Sequence, residues 1–376
     1  MAHAPHEAKE RRSLAGEVAT VAAYGLLSLI VGRESSAPAP PEFAQPTSRQ
    51  EPLDLQRRRA SEPGRGRRAA SPHRIPWRGW KDILWRTYAQ IQQHRLLAIS
   101  AGVVFYGLLA LFPAITALVS LYGLFAKPAT INDHLTFLSQ VTPGTVMGLI
   151  EDQIGRVAAK GDFKLSVGFA IGLAIAVWSA NAGMKAMIDA LNIVYEEDEK
   201  RGFFRLNLVS LAFTFGAVVC MLLAIGAIVA FPLLLDEFGL ERFTNRLIEL
   251  GRWPVLTLGV LAALAILYRY GPSRREAKWR WVSVGSVLAT TFWTAGSVGF
   301  SYYLANYAHY DVTYGSLGTA VGLMTWMWMT VIVILFGAEL NSEIEHQTAV
   351  DTTEGRPKPL GARGATMADT VGAAQA

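Results

Sequence analysis

Six apolar stretches constrain this chain more than any other feature of its sequence. They run over residues 96–125, 165–187, 206–235, 253–268, 281–304 and 315–339. About 20 residues of helix, at 1.5 Å rise per residue, cross the hydrocarbon core of a bilayer. Five stretches clear that length and the fourth is the shortest. In lipid, every backbone N–H and C=O must be paired within its own segment, so each stretch is predicted to be a helix. None alternates apolar and polar residues at every second position, as the strands of a membrane barrel would. The sequence therefore reads as an all-α polytopic membrane protein. A six-transmembrane-helix bundle occupies 77–347, between a tail over 1–76 and a disordered tail over 348–376.

Charge gives the direction. Residues 1–95 hold 16 Lys/Arg against 9 Asp/Glu, and 9 of the 17 prolines, whereas residues 96–376 hold 19 against 21. The basic excess thus belongs to the N-terminal part. Arg74, Arg78, Lys81, Arg86 and Arg95 precede the first span, and Lys200, Arg201 and Arg205 follow the second. Arg269, Arg274, Arg275, Lys278 and Arg280 follow the fourth, while the loop 305–314 carries none. Lys and Arg in short loops mark the cytoplasmic side. Both termini are predicted to be cytoplasmic.

An apolar run over 18–32, preceded by Lys9, Arg11 and Arg12, has the outline of a signal peptide. Cleavage or spanning there would place the basic residues of 33–95 outside, against the charge map. Glu17, Thr20, Tyr24 and Ser28 form a polar stripe at helical spacing, so the run reads as a helix on the membrane or against the bundle. Residues 33–75, rich in Pro, Ser, Arg and Ala, read as a disordered linker. Its clusters Arg57–Arg59 and Arg65–Arg68 are read as facing anionic lipid headgroups rather than nucleic acid. Trp77, Trp80, Leu84, Tyr88 and Ile91 recur at helical spacing and predict an interfacial helix leading into span one. Thr142-Pro143 reads as the start of an amphipathic helix in the first outer loop.

The middles of the spans hold no ionisable residue. The nearest polar candidates are Asn181, Lys185 and Asp189, spaced i, i+4, i+8 at the inner end of span two, with Ser316, Glu339 and Asn341 of span six. Ionisable residues at membrane depth are expected to serve function, so these six form a candidate transport or gate face. Lys185 and Glu339 are expected to pair and hold the inner ends of spans two and six together. Interfacial anchoring is the alternative role, and Arg205 or Arg280 the alternative partner of Glu339. A polar cavity lined by Asn181, Lys185 and Ser316 would favour transport. Gly168-xxx-Gly172 and Gly318-xxx-Gly322 predict close helix packing, and Pro113 a kink in span one.

Enzyme signatures are poor. The single cysteine, Cys220, excludes a disulfide scaffold or a Cys-based metal site, and the seven histidines are scattered. The Gly-rich pieces lack the form of a nucleotide-binding loop. Glu196, Glu197, Asp198 and Glu199 read as a solvated acidic turn rather than a Mg2+ site. No catalytic residue, metal or cofactor is expected, and a homo-oligomer stays open.

Four stretches in order carry a resemblance: HRLLAISAGVVFYGLLALFPAITALVSLYGLF (94–125), WSANAGMKAMIDALNIVYEEDEKRGFF (178–204), YDVTYGSLGTAVGLMTWMW (310–328) and GAELNSEIEHQ (337–347). They resemble the first span, second-span exit and last span of the YihY/BrkB family of bacterial inner-membrane proteins. The resemblance covers about 77–347 and leaves the linker and the first apolar run outside. It implies envelope transport or virulence-factor export, and supplies no catalytic residues. An older ribonuclease label for such proteins finds no clustered His/Asp set here. The expectation is a transporter or lipid- or envelope-handling protein. A non-transporting envelope scaffold and a membrane-anchored ribonuclease are the alternatives.

Overall fold

A backbone that must satisfy its own hydrogen bonds, with few breakers in each apolar stretch, gives long helices. The computed structural model describes residues 52–125, 162–225, 241–306 and 318–375. In chain order the helices are α1 (Leu53–Ala60), α2 (Trp77–Gln93), α3 (Leu96–Phe125), α4 (Asp162–Val194), α5 (Phe203–Ile225), α6 (Glu241–Tyr270), α7 (Trp279–Asn306), α8 (Gly318–His346) and the short α9 (Thr366–Asp369). No strand forms among the described residues; Ala277 and Thr353 make an isolated antiparallel bridge.

Segments Ala170–Val194 of α4, Phe203–Cys220 of α5 and Ala320–His346 of α8 are long and apolar enough to cross a membrane. The pair α2 and Leu96–Ala110 of α3, bent by 59°, makes a fourth if it counts as one span. The bend falls at His94-Arg95, where Arg95 takes a left-handed φ of 49°. Trp77, Leu84, Trp85 and Tyr88 of α2 are exposed, whereas Asp82, Ile83, Arg86 and Thr87 are buried. The helix thus turns its aromatic face outward, with Arg78 and Lys81, and Asp82 and Arg86 into the protein. That orientation suits indoles at a headgroup layer.

Helix limits depart from the hydropathy limits in an informative way. The last apolar stretch ends at 339, yet α8 continues to His346. Its final turns are polar, and the protein itself, rather than water, supplies their partners. Similarly α6 begins at Glu241 and carries Pro254 inside it, where 253 was the expected start. Helix α3 runs through Pro113 without interruption. The expected helices at 18–32 and 142–157 and the expected site residue Ser316 lie outside the described residues.

Helix α3 packs most extensively on α4, and α7 on α8; α8 also meets α2, α3, α4 and α9. One core cluster joins Leu96, Val103, Leu191, Tyr195, Tyr268 and Leu335; a second joins Ile75, Ile83, Trp281, Leu340 and Ile344. Both lie toward the end of the bundle where α2, the α4–α5 and α6–α7 loops and the C-terminal segment meet, hereafter the basic end. Farther along, large apolar side chains such as Trp178, Phe215 and Leu223 are exposed, which lipid tolerates and water does not.

Two expectations of disorder need correction. Residues 348–375 are fixed against the bundle: Met367, Ala368 and Val371 are buried. Lys278 N–H donates to the Thr352 carbonyl at 2.9 Å and Gly372 N–H to the His346 carbonyl at 2.8 Å. Residues 52–75 contain α1 and the buried Arg67. The side chain of Arg67 donates to the carbonyls of Gln347 (3.2 Å) and Gly372 (2.7 Å). Neither segment has hydrophobic periodicity, so its order comes from buried side chains that capture backbone groups. Composition cannot register that.

Close helix approach is also shown at glycines beyond the expected ones. A methyl on Gly322 would meet only Leu304 Cδ2, at an ordinary 3.9 Å. A methyl on Gly285 would overlap the Gly337 carbonyl oxygen; one on Gly337 would lie 2.6 Å from Tyr268 Oη and 2.7 Å from Ala289 Cβ. The α7–α8 crossing thus rests on Gly285-xxx-Ala289 and Gly337. In α4, Gly172 is buried, and Gly183 approaches the backbone of Gly107 in α3, where an added Cβ would stand 3.6 Å from its nitrogen. Overpacking a close-packed contact costs ~1–3 kcal/mol. Gly337→Ala is therefore expected to lower the melting temperature of the purified protein, and Gly322→Ala to leave it unchanged. Equal melting temperatures for the two variants would contradict the crossing described.

Candidate functional site

The polar turns that end α8 are buried. Glu339, Asn341, Ser342, Glu343, Glu345 and Gln347 are all fully enclosed at 0% exposure. A buried carboxylate needs a cation or several donors, and each finds its own. Glu339 Oε2 stands 3.0 Å from His94 Nδ1, at the α2–α3 bend. Glu343 Oε2 meets Arg86 Nε of α2 at 2.5 Å, and Arg86 also donates to Gln347 Oε1 (2.8 Å) and the Ala373 carbonyl (3.0 Å). Glu345 takes two bonds from Arg274, at 2.9 and 2.8 Å, and a third from the Thr352 hydroxyl at 3.0 Å. Arg274 lies over the Tyr195 ring, 4.0 Å from its centroid. Burial alone would lower the pKa of this guanidinium, but Glu345 and the Tyr195 phenol outweigh it and raise it. Asn341 bridges to α7, accepting from Gly285 N–H (2.7 Å) and donating to the Val282 carbonyl (3.0 Å).

The loops beside this hub are knitted together. Expected as a solvated turn, the acidic run instead has Glu196 and Glu197 buried. Gln90 donates to Glu196 at 3.3 Å, Lys200 pairs with Glu197 at 2.6 Å, and Thr366 N–H reaches Glu197 at 2.5 Å. Burial pushes the Glu199 carboxyl up, but Arg201, through side chain and backbone, with Asn192 and Ser273, holds it at about 2. Arg201 also donates to the Gly271 carbonyl at 2.8 Å, and Ser273 N–H to Asn192 Oδ1 at 2.7 Å. Asp351 is likewise held low: burial raises it, and the N–H groups of Lys358 and Thr353, the Thr353 hydroxyl and Arg363 more than offset that.

Next to the hub a cavity of about 730 Å3 opens between α5, α6 and the α6–α7 loop. Its mouth is cationic, with Lys200, Arg201, Arg205, Arg269, Arg274 and Arg275 against one acid, Glu276. Its body is apolar, with Ala212, Phe213, Gly216 and Cys220 of α5 facing Ala263, Leu264 and Leu267 of α6, and Met184 of α4 alongside. Four of the cations have carboxylates: Lys200 with Glu197, Arg201 with Glu199, Arg269 with Glu354, and Arg274 with Glu345. Arg269 also stacks on Trp279, 4.4 Å from its ring centroid. No carboxylate pairs with Arg205 or Arg275 among the described residues. Nη1 of Arg275 is buried without a hydrogen-bond partner there.

Ser316 lies outside the described residues, and the other five expected site residues do not converge. Asn181 faces α5, accepting from Ser210 at 2.5 Å and donating to Asn207 at 3.4 Å. Lys185 lies over the Phe203 ring, 5.9 Å from its centroid, and Asp189 is exposed. Glu339 turns to His94 and Asn341 to α7, so the expected Lys185–Glu339 pair gives way to His94–Glu339. The cavity described above lies between α5 and α6. Sequence reasoning missed Arg86, His94 and Glu343, because the hydropathy limit placed the end of span six before Glu343. The i, i+4 and i, i+6 spacing of Glu343 and Glu345 from Glu339 on one helix was the available signal.

Comparison with known proteins places these features in context. The family described as Virulence factor BrkB matches residues 87–360. A ribonuclease-like protein of Bacillus subtilis (strain 168), YfkH, is 30% identical over 273 residues, 69% of this chain and 94% of its own length. A UPF0761 membrane protein of Aliivibrio salmonicida is 26% identical over 278 residues, 70% of this chain and 84% of its own. Another, from Rhodospirillum centenum, is 25% identical over 271 residues, 70% of this chain and 57% of its own length. No solved structure matches.

The rearranged pairing has a direct test. In thermal unfolding of purified protein, His94→Ala and Glu339→Ala are expected to be coupled, the double variant losing less than the sum by ~0.5–3 kcal/mol. Lys185→Ala and Glu339→Ala are expected to add. Additivity in the first cycle and coupling in the second would restore the Lys185 pair.

Proposed function

The chain belongs to the virulence factor BrkB family, and from that premise we propose that it is an inner-membrane transporter of an amphiphile, working through the α5–α6 cavity. In this reading α3 to α8 all cross the bilayer, the basic end is cytoplasmic, and both termini lie there. Support for six crossings comes from six helices of 23 residues or more. Support for the orientation comes from Lys and Arg gathered in the α4–α5 and α6–α7 loops. Arg57, Arg58 and Arg68, exposed on the N-terminal segment, suit contact with an anionic leaflet.

The observation that carries the transport reading is the cavity itself. It joins a cationic mouth to an apolar body between two helices whose outer faces are exposed. Only 11% of Phe203–Cys220 is buried within the protein, so that body lies one helix away from lipid. A water-soluble solute would find few polar partners there, and a purely apolar one would have no use for the mouth. A substrate with a polar head and an apolar tail fits both. The name ribonuclease-like belongs to the Bacillus relative. Here Glu196, Glu197 and Glu199, the acidic run nearest the cavity, are committed to Gln90, Lys200 and Arg201, which supports a non-enzymatic reading.

Space around Gly216 allows a clean test, because no atom lies within 4 Å of a Cβ built there. Gly216→Phe is expected to fill the cavity without unfolding the protein. In proteoliposomes, the unmodified protein should speed the passage of fluorescent short-chain lipid between leaflets, measured by dithionite quenching. The Gly216→Phe variant should slow it toward the rate of protein-free vesicles, with an unchanged melting temperature. Equal rates for both proteins, or no acceleration by either, would refute the reading.

A further inference from the structure

We propose that the α5–α6 cavity selects an anionic phospholipid, whose phosphate is held by Arg205 and Arg275 while one acyl chain lies along the seam between α5 and α6. This rests on the reading of the cavity as an amphiphile site and adds the class of head group.

Arg205 and Arg275 are the cations at the mouth that the protein leaves without a carboxylate among its described residues. Each of the other four has its own acid, so the mouth does not act as a uniform positive patch. Arg275 is fixed in place: its N–H donates to the Gly364 carbonyl at 3.0 Å, and its Nη2 lies against Gly355, whose φ of +90° keeps that position free of a side chain. Yet its Nη1 is buried without a partner. A buried guanidinium nitrogen with nothing to donate to is costly, and the cost disappears when an acceptor arrives. The planar fork of Arg matches the oxygens of a phosphate better than a single point charge does. Arg205 is exposed, lies in the first turn of α5 and lines the cavity, and supplies a second donor.

The space below the cations decides between a lipid phosphate and a free one. Ala212, Gly216 and Cys220 follow one another at i, i+4, i+8 along α5 and line the cavity. Their small side chains leave a slot opposite Ala263 and Leu267, too apolar for a hydrated ion and of the right character for an acyl chain. Charge decides between head groups. With Glu276 the one acid in the lining, the ammonium of a zwitterionic lipid would face unneutralised cations, whereas phosphatidylglycerol brings negative charge alone.

Cys220 is the only cysteine and lines the slot, so a bimane attached to it reports occupancy in the full-length protein. In detergent micelles, phosphatidylglycerol brominated on its acyl chain should quench the label at about tenfold lower mole fraction than brominated phosphatidylcholine. Arg205→Gln with Arg275→Gln should bring the two lipids to within about twofold, leaving quenching by phosphatidylcholine unchanged. Arg275→Lys should recover part of the preference, which separates a lost charge from a misfolded site. Equal quenching by both lipids in the unmodified protein, or a preference undiminished in the double variant, would overturn the head-group assignment while leaving the amphiphile reading in place. Absence of quenching by either lipid would overturn both. Release of the quenching by inorganic phosphate alone would assign the site to the free ion and overturn the lipid.

Discussion

The polar end of α8 is the constraint on which the basic end of this protein depends. Three carboxylates, Glu339, Glu343 and Glu345, sit on consecutive turns of one helix with no exposure to solvent. None could remain there charged without a partner, and each partner comes from a different part of the chain. His94 arrives from the bend between α2 and α3, Arg86 from α2, and Arg274 from the α6–α7 loop. Removing one member of a buried pair typically costs about 3–5 kcal/mol, because the other charge is stranded. The helix therefore works as a hub, and the segments it recruits have few alternative positions.

What the hub recruits explains how much of the fold was legible beforehand. The long helices follow from hydropathy, since backbone pairing in lipid leaves no other form for such stretches. The exposed aromatic face of α2 was also readable from Trp77, Leu84 and Tyr88. Pairing at the basic end was not, because it depends on residues that look like ordinary surface charges in sequence. Arg67 belongs to a run of arginines that suggests a solvated or lipid-facing patch, yet its guanidinium is spent on Glu62 and the carbonyls of Gln347 and Gly372. The segment 348–375 has the composition of a disordered tail, and it is held in place by long-range capture of its backbone. Glu339 was recognised as a residue that must have a partner; the three-dimensional path of α2 made that partner His94 rather than Lys185.

The same division shapes the cavity. Structural ion pairs absorb most of the positive charge near the α4–α5 and α6–α7 loops, which is why counting Lys and Arg along the chain does not describe binding. Small residues leave an opening between α5 and α6. At α7–α8, by contrast, Gly285 and Gly337 bring the backbones together. One half of the bundle is thus locked by close packing and buried ion pairs, while the other keeps an opening lined by a few uncommitted donors. The proposed transport would use both properties: a fixed frame to carry strain and a seam that admits a molecule.

The hub is tested most directly by hydrogen–deuterium exchange over residues 340–375 of the purified full-length protein, read beside Arg86→Gln. The amides of Ala349, Lys358, Thr366 and Gly372, which donate to Arg67, Asp351, Glu197 and His346 respectively, should exchange orders of magnitude more slowly than an unstructured chain. In Arg86→Gln, protection should fall at Gly372 and Gln375, which flank the Ala373 carbonyl that Arg86 holds, and persist at Lys358. Exchange of the whole segment at the unprotected rate in the unmodified protein would contradict the account, as would protection at Gly372 that does not depend on Arg86.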